Sequence, residues 1–230
     1  MRPPIYEPRG AAKEYGDYAL NIYTGCPHRC YYCFAPGVLH QDRERFHSHV
    51  EPRLGIVEEV RKQLEREQIT GKTIHLCFTC DPYPTGYDSS ATREIIKLLK
   101  ESGNHVQILT KGDGKRDFDL LDENDWYGVT IDGSAGLVTS TPFLDLSTAS
   151  HRGIKTWISF EPVLQPENVL AAIRMSSVLA VDKVKIGKLN YHTSDIDWAA
   201  FGRDAEELCQ RLRLNYYIKD SLRREMEAGK

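Results

Sequence analysis

The chain reads as an α/β protein built on a parallel sheet, and three observations lead there. Strand-like and helix-like segments alternate along it, the helical ones repeat apolar residues every three to four positions, and polar residues or glycine follow nearly every strand-like run. Repeated β-α units imply parallel strands joined by right-handed crossovers. At 230 residues the chain suits a single domain, with a core over about 18–219 behind an N-terminal arm, 1–17. A hydrophobic content of 40% and a charged content of 27% are those of a soluble globular chain.

The elements follow in order. Residues 18–23 form the first strand. Val50, Leu54, Val57, Val60 and Leu64 then recur at helical spacing and predict a helix running to Gly71. Residues 73–79 are a second strand, and 91–101 a helix that stops near Gly103. Strands are predicted at 105–109, 126–131, 154–160 and 182–186, with helices around Asp119, Val169 and Glu207 between and after them. Residues 214–218 end the series as an edge strand. Six β-α units are too few for a closed eight-stranded barrel, and spacing alone leaves a doubly wound sheet open beside a partial barrel.

Polar residues cluster where a parallel barrel keeps its reacting groups, at the C-terminal ends of the strands. They are Gly25-Cys26, Thr79-Cys80-Asp81, Thr110-Lys111-Gly112, Thr130-Ile131-Asp132, Ser159-Phe160-Glu161 and Gly187-Lys188. Six such stretches in succession, holding carboxylates and lysines directly after apolar runs, exceed what polar loops alone supply.

The densest chemistry is in residues 25–34, GCPHRCYYCF, where Cys26, Cys30 and Cys33 are spaced C-x3-C-x2-C. Thiolates are soft ligands suited to zinc or to iron–sulfur clusters, and this spacing is neither a common zinc-site nor a ferredoxin spacing. Three thiols leave one metal position open, which suits chemistry better than scaffolding. Both metals stay open on spacing alone.

The motif, with the aromatic Tyr32 before its third cysteine, resembles that of the radical S-adenosylmethionine (SAM) superfamily. The later stretches resemble the branch containing spore photoproduct lyase: Thr79-Cys80-Asp81-Pro82-Tyr83-Pro84, Ile108 to Gly112 with Arg116-Asp117, Ser159 to Val163, and Lys185 to Asn190. The similarity runs from Tyr18 to Lys219. It implies a partial (β/α)6 TIM-type barrel with a lateral opening, and a [4Fe-4S] cluster held by Cys26, Cys30 and Cys33. The fourth iron of that cluster binds SAM. One electron then splits the sulfonium, and the resulting 5′-deoxyadenosyl radical abstracts hydrogen from substrate.

The same resemblance assigns the remaining roles. Tyr32 and Phe34 match positions near the adenine or cluster, with ordinary core packing as the alternative. No Gly-Gly-Glu stretch follows the second strand, and Asp81 stands in its place to meet the SAM ammonium, unless it only starts an Asp-Pro turn. Lys111 matches a basic residue for the SAM carboxylate or ribose, and a lysine buried there needs an anionic partner. Thr130 matches a hydroxyl near the ribose. Glu161 and Lys188 match ribose or substrate contacts, or else pair with each other. Cys80 is the candidate catalytic residue, as a hydrogen donor to a substrate radical, with an inert thiol as the alternative.

On a strand continuing to Thr79, Cys77 and Cys80 face opposite sides and share neither metal nor disulfide. Cys209, on an amphipathic helix, belongs to the core. The eight histidines show no HExxH spacing. His28 is placed on the surface, and His40, His47 and His49 face either cofactor or solvent.

A net charge of −3 argues against strong non-specific nucleic-acid binding. The basic sets Lys183, Lys185 and Lys188, and Arg211, Arg213, Lys219, Arg223 and Arg224, are local, the second being solvated helix surface. No apolar run of membrane-spanning length and no signal-peptide core is seen, which points to the cytoplasm. The function implied is radical SAM hydrogen abstraction from a nucleic acid or nucleotide, as lyase, repair or modification. Modification of a peptide or small metabolite, and a non-catalytic zinc or iron–sulfur module, are the alternatives. The partners implied are SAM, an external electron donor of flavodoxin or ferredoxin type, and a partner subunit docking at the open side of the barrel.

Overall fold

The computed structural model describes residues 3–134 and 141–229. The chain forms two compact units, Met1–Trp126 and Tyr127–Lys230.

In the first unit, β1 (Ile5–Tyr6) runs antiparallel to β2 (Tyr18–Leu20), with Ile5 opposite Leu20. Helices α1 (Ala35–Val38), α2 (Arg43–Ser48) and α3 (Ile56–Glu67) follow. Next come β3 (Thr73–Leu76), α4 (Ser90–Glu101) and β4 (His105–Thr110). β3 pairs in parallel with β2 and with β4, in the registers Tyr18↔Ile74 and Ile74↔Val106. Alternate residues of β4 (Val106, Ile108, Thr110) are buried, the period expected of a strand with one face on a core.

The second unit begins at β5 (Trp126–Thr130) and continues with α5 (Thr141–His151), β6 (Lys155–Phe160), α6 (Pro166–Val178), β7 (Lys183–Ile186), α7 (Trp198–Arg211), β8 (Tyr216–Ile218) and α8 (Asp220–Ala228). Its strands lie in sequence order. β6–β7 and β7–β8 are parallel, with Trp157 opposite Lys183 and Val184 opposite Tyr216. The edge strand expected at 214–218 is β8, at the end of that order.

Several boundaries differ from expectation for local reasons. The helix expected from Val50 begins at Ile56, because Gly55 enters it at φ 68° and Leu54 stands 97% exposed. The strand expected to reach Thr79 ends at Leu76, because Cys77 turns left-handed at φ 73°. The helix around Asp119 is a short 3-10 turn, Lys115–Leu120. Five of the labelled elements are additional. β1 has two residues, too few to show alternation, and α1, α2 and α8 are short. α5 is rich in Thr and Ser, which form helices weakly.

Buried polar side chains tie these elements together. Gln63 on α3, 2% exposed, bonds both backbone groups of Ile5 at 2.8 and 2.9 Å, fixing β1. Asp125, fully buried, accepts from Val106 N at 2.8 Å, Asp122 N at 2.9 Å and Lys100 Nζ at 2.6 Å. Among the described residues no helix is long and apolar enough to cross a membrane.

Gly128 on β5 tests the packing of the second unit. A Cβ there would lie 2.1 Å from Trp157 Nε1, inside a fully packed ring. Gly128→Ala is expected to lower the unfolding free energy by about 3 kcal/mol. Leu54→Ala, at the exposed position, should stay within about 0.5 kcal/mol of the parent. Urea denaturation of both variants checks the pair.

Candidate metal and cofactor site

The cysteine loop is shaped by α2. Gly25 enters it where a Cβ would lie 2.3 Å from the Phe46 carbonyl oxygen and 2.5 Å from that of His49, so only glycine fits. Cys26 N donates to Phe46 O at 3.1 Å. His47, 5% exposed, lies with Nδ1 2.8 Å from Cys26 O. Since a carbonyl only accepts, Nδ1 is the donor, and Nε2 is buried with no hydrogen-bond partner among the described residues. Asp42 caps α2 by accepting from Arg45 N at 2.9 Å, which fixes the helix that carries Arg43. The Arg43 guanidinium gathers the far half of the loop, donating to the carbonyls of Cys30, Tyr31 (2.7 Å) and Cys33 (3.1 Å). The Arg29–Glu44 pair adds an exposed link.

The three thiols are free and partly buried. Burial pushes the Cys26 thiol well above the usual range, and the charges of Asp81, Cys80 and Cys33 add to it. Burial also raises Cys33, with Cys30 adding and Arg43 opposing. Thiolates crowded in this way are stabilised by a cation in their midst, and metal binding displaces their protons. The donor set is three soft sulfurs from one backbone-locked loop. It fits an iron–sulfur cluster bound through three irons, with the fourth iron left to another ligand.

Asp81 sits beside this loop and is 7% exposed. Its Oδ1 accepts from Tyr83 N at 2.8 Å and Thr110 Oγ1 at 2.5 Å, and its Oδ2 accepts from Lys111 N at 2.8 Å. His28 Nε2, from inside the cysteine loop, lies 3.0 Å from Oδ2 but off the line of a hydrogen bond. Gly112 completes the junction, since a Cβ there would lie 1.9 Å from Tyr83 O. The carboxylate thus joins the ends of β3 and β4 to the cysteine loop. His28, expected at the surface, is 13% exposed by side chain.

Lys111, expected to be buried, is exposed, with its ammonium 5.5 Å from the centroid of the Tyr32 ring. Phe34 is 45% exposed, so it is not core. His49 is exposed beside Glu51, and His40 is exposed at φ 52°.

Cys77 and Cys80 also depart from expectation. The turn after Leu76 breaks the alternation that would point them apart, and their thiols are close enough to interact. Asn21 Oδ1 holds the turn by accepting from Phe78 N at 2.8 Å and Thr79 N at 2.9 Å.

The remaining predicted residues lie in the second unit. Thr130 ends β5, half-buried. Glu161 and Lys188 do not pair with each other. Glu161 accepts from Lys219 Nζ at 2.6 Å and Asn190 Nδ2 at 3.1 Å, while Lys188 pairs with Glu225. Gly187 leaves room for the Glu161 carboxyl, which a Cβ would approach to 2.8 Å. Sequence reading missed Gly25 as a steric requirement, and Arg43 and His47 as the loop's anchors. Their signal was Asp42 followed three residues later by a short amphipathic turn.

Residues 20–139, more than half of the chain, match the family model of the Radical SAM superfamily. Uncharacterized proteins Rv2578c of Mycobacterium tuberculosis and Mb2609c of Mycobacterium bovis are each 34% identical over 112 residues, 46% of this chain and 33% of theirs. The match therefore spans about a third of the length of these relatives. Among solved structures, spore photoproduct lyase complexed with dinucleoside spore photoproduct superposes with a TM-score of 0.68 at 10% identity, over 93% of this chain and 79% of that one. Streptococcus suis SuiB bound to precursor peptide SuiA gives 0.63 at 13% identity, over 91% and 51%. The fold is therefore the mixed α/β, largely parallel one of the partial-barrel type.

Replacing Asp81 tests its place at the junction. Asp81→Asn turns an acceptor toward backbone and hydroxyl donors into an amide that also donates. It is expected to lower stability by about 1–3 kcal/mol, read as a lower urea midpoint at unchanged slope.

Proposed function

This chain belongs to the radical SAM superfamily, and we propose that its cysteine loop performs the superfamily's reductive cleavage of SAM on a nucleic-acid or nucleotide substrate. Enzymes of this superfamily use a [4Fe-4S] cluster and SAM. When bound, these supply one electron to the sulfonium and so generate a 5′-deoxyadenosyl radical that takes hydrogen from substrate. The observation that carries the reading is the loop itself: Cys26, Cys30 and Cys33 on a backbone locked by Gly25, His47 and Arg43.

In this reading Cys26, Cys30 and Cys33 hold three irons. Lys111, exposed at the end of β4 with its backbone fixed by Asp81, presents its ammonium to the SAM carboxylate. Tyr32, beneath that ammonium, offers a ring face to the adenine. Asp81 acts by positioning, because its oxygens already accept from Tyr83 N, Thr110 Oγ1 and Lys111 N. Thr130, Glu161 and Lys188 are assigned to ribose and substrate. Cys80 is assigned as the hydrogen donor that quenches the substrate radical. The nucleotide class is favoured because the likeness to the lyase bound to a dinucleoside covers more of both chains than the likeness to peptide-bound SuiB. An electron donor of flavodoxin or ferredoxin type completes the reaction.

Anaerobic reconstitution is expected to give about four irons per chain and 5′-deoxyadenosine on addition of SAM and dithionite. Cys26→Ala, Cys30→Ala and Cys33→Ala should each abolish both. Stoichiometric zinc with no deoxyadenosine under iron-replete conditions would contradict the reading. Lys111→Met should keep its iron and weaken SAM binding roughly five- to tenfold, measured by equilibrium dialysis. Unchanged binding would remove Lys111 from the site.

A further inference from the structure

We infer that Cys77 and Cys80 form a redox-active dithiol, a site that a peroxide-class oxidant closes to a disulfide. The SAM reaction as proposed takes only a hydrogen atom from Cys80 and requires no disulfide with Cys77, so closure of this pair is a separate property.

The local backbone is built to bring the two sulfurs together. β3 ends at Leu76, and Cys77 takes a left-handed φ of 73°, a conformation that L side chains avoid unless the surroundings impose it. Three bonds impose it here. Cys77 N donates to Leu20 O at 2.9 Å, and Phe78 N and Thr79 N both donate to Asn21 Oδ1. The result is a C-x2-C turn that breaks the strand between the two cysteines and places their thiols close enough to interact, whereas an extended strand would hold them on opposite faces.

The two thiols are not equivalent. Cys77 is 5% exposed, and Cys80 is partly open. The Cys80 sulfur accepts from Tyr23 N at 3.3 Å. Burial acts to raise the Cys80 thiol, but the Cys77 thiol, the Tyr23 and Ile22 backbone and the charge of Arg53 outweigh it and bring it below the usual range. Burial and the neighbouring Cys80 hold the Cys77 thiol well above that range. A partly open cysteine whose thiol is shifted toward thiolate, beside a buried resolving thiol, is the arrangement that oxidises selectively.

The chemistry balances with one peroxide. The Cys80 sulfur attacks an oxygen of hydrogen peroxide, the O–O bond breaks, and Cys80 becomes a sulfenic acid while the other oxygen leaves as water. The Cys77 sulfur then attacks the Cys80 sulfur, the S–O bond breaks, the S–S bond forms, and the Cys77 proton leaves with the second water. Two thiols lose two electrons in total, and one peroxide is reduced to two waters. A dithiol reductant reverses the change by thiol–disulfide exchange.

The test reads a single peptide. Tryptic residues 73–93 contain Cys77 and Cys80 and no other cysteine. Reconstituted protein is treated anaerobically with a molar excess of hydrogen peroxide, acid-quenched, denatured and alkylated. The expected result is that most of this peptide runs two hydrogens lighter with neither thiol alkylated, and that dithiothreitol restores both. In Cys77→Ser, Cys80 should instead accumulate as a dimedone-reactive sulfenic acid. In Cys80→Ser, Cys77 should remain alkylatable at the same dose. A parent peptide with both thiols still alkylated would overturn the inference, as would Cys80 over-oxidised beside an alkylatable Cys77. The readout does not depend on SAM cleavage, so failure here and failure of the proposed function are told apart.

Discussion

The steric constraint on which the cysteine loop depends is the entry of Gly25 against the C-terminal end of α2, where the carbonyls of Phe46 and His49 leave no room for a Cβ. A chain that passes this point must turn, and Cys26, Cys30 and Cys33 follow directly on that turn. The helix that imposes the turn also fastens the loop, through His47 to Cys26 O and through Arg43 to the carbonyls of Cys30, Tyr31 and Cys33. Backbone carbonyls, and not the sulfurs, are used for fastening. The thiols are thereby left as ligands, as a metal site requires.

The same economy governs the strand ends. Asp81 is buried where a lone carboxylate would be unfavourable, and it is stabilised by backbone N–H groups, a hydroxyl and the His28 ring. That network sets the Lys111 backbone, while its side chain is exposed with the ammonium over the Tyr32 ring. Rigid backbone and accessible charge are separated within one residue. Placing functional groups just past parallel strands allows this, because the strand holds the main chain and the loop frees the side chain.

Much of this was legible in sequence, because the strongest signals were covalent or periodic. The three cysteines announced a soft-metal loop by spacing, and six strands were readable from apolar runs ending in polar residues. The legibility failed where geometry depends on a partner distant in sequence. Nothing at Leu54 says that the helix waits for Gly55, and nothing in 73–79 says that Cys77 turns left-handed to satisfy the backbone of β2 through Leu20 and Asn21. That the Asp81 carboxylate accepts from Thr110 and Lys111 at the end of the next strand is likewise invisible in the local sequence. Glu161 and Lys188 looked like a pair until Lys219 and Glu225, both near the end of the chain, proved to hold them.

The account's central claim is that three thiols on a locked loop leave one iron open for SAM. Electron paramagnetic resonance of the dithionite-reduced, reconstituted protein, recorded with and without SAM, tests this most directly. The account predicts a reduced-cluster signal whose g values shift when SAM is added, because SAM binds the open iron. A signal unchanged by saturating SAM, or no iron–sulfur signal in iron-replete protein, would contradict it.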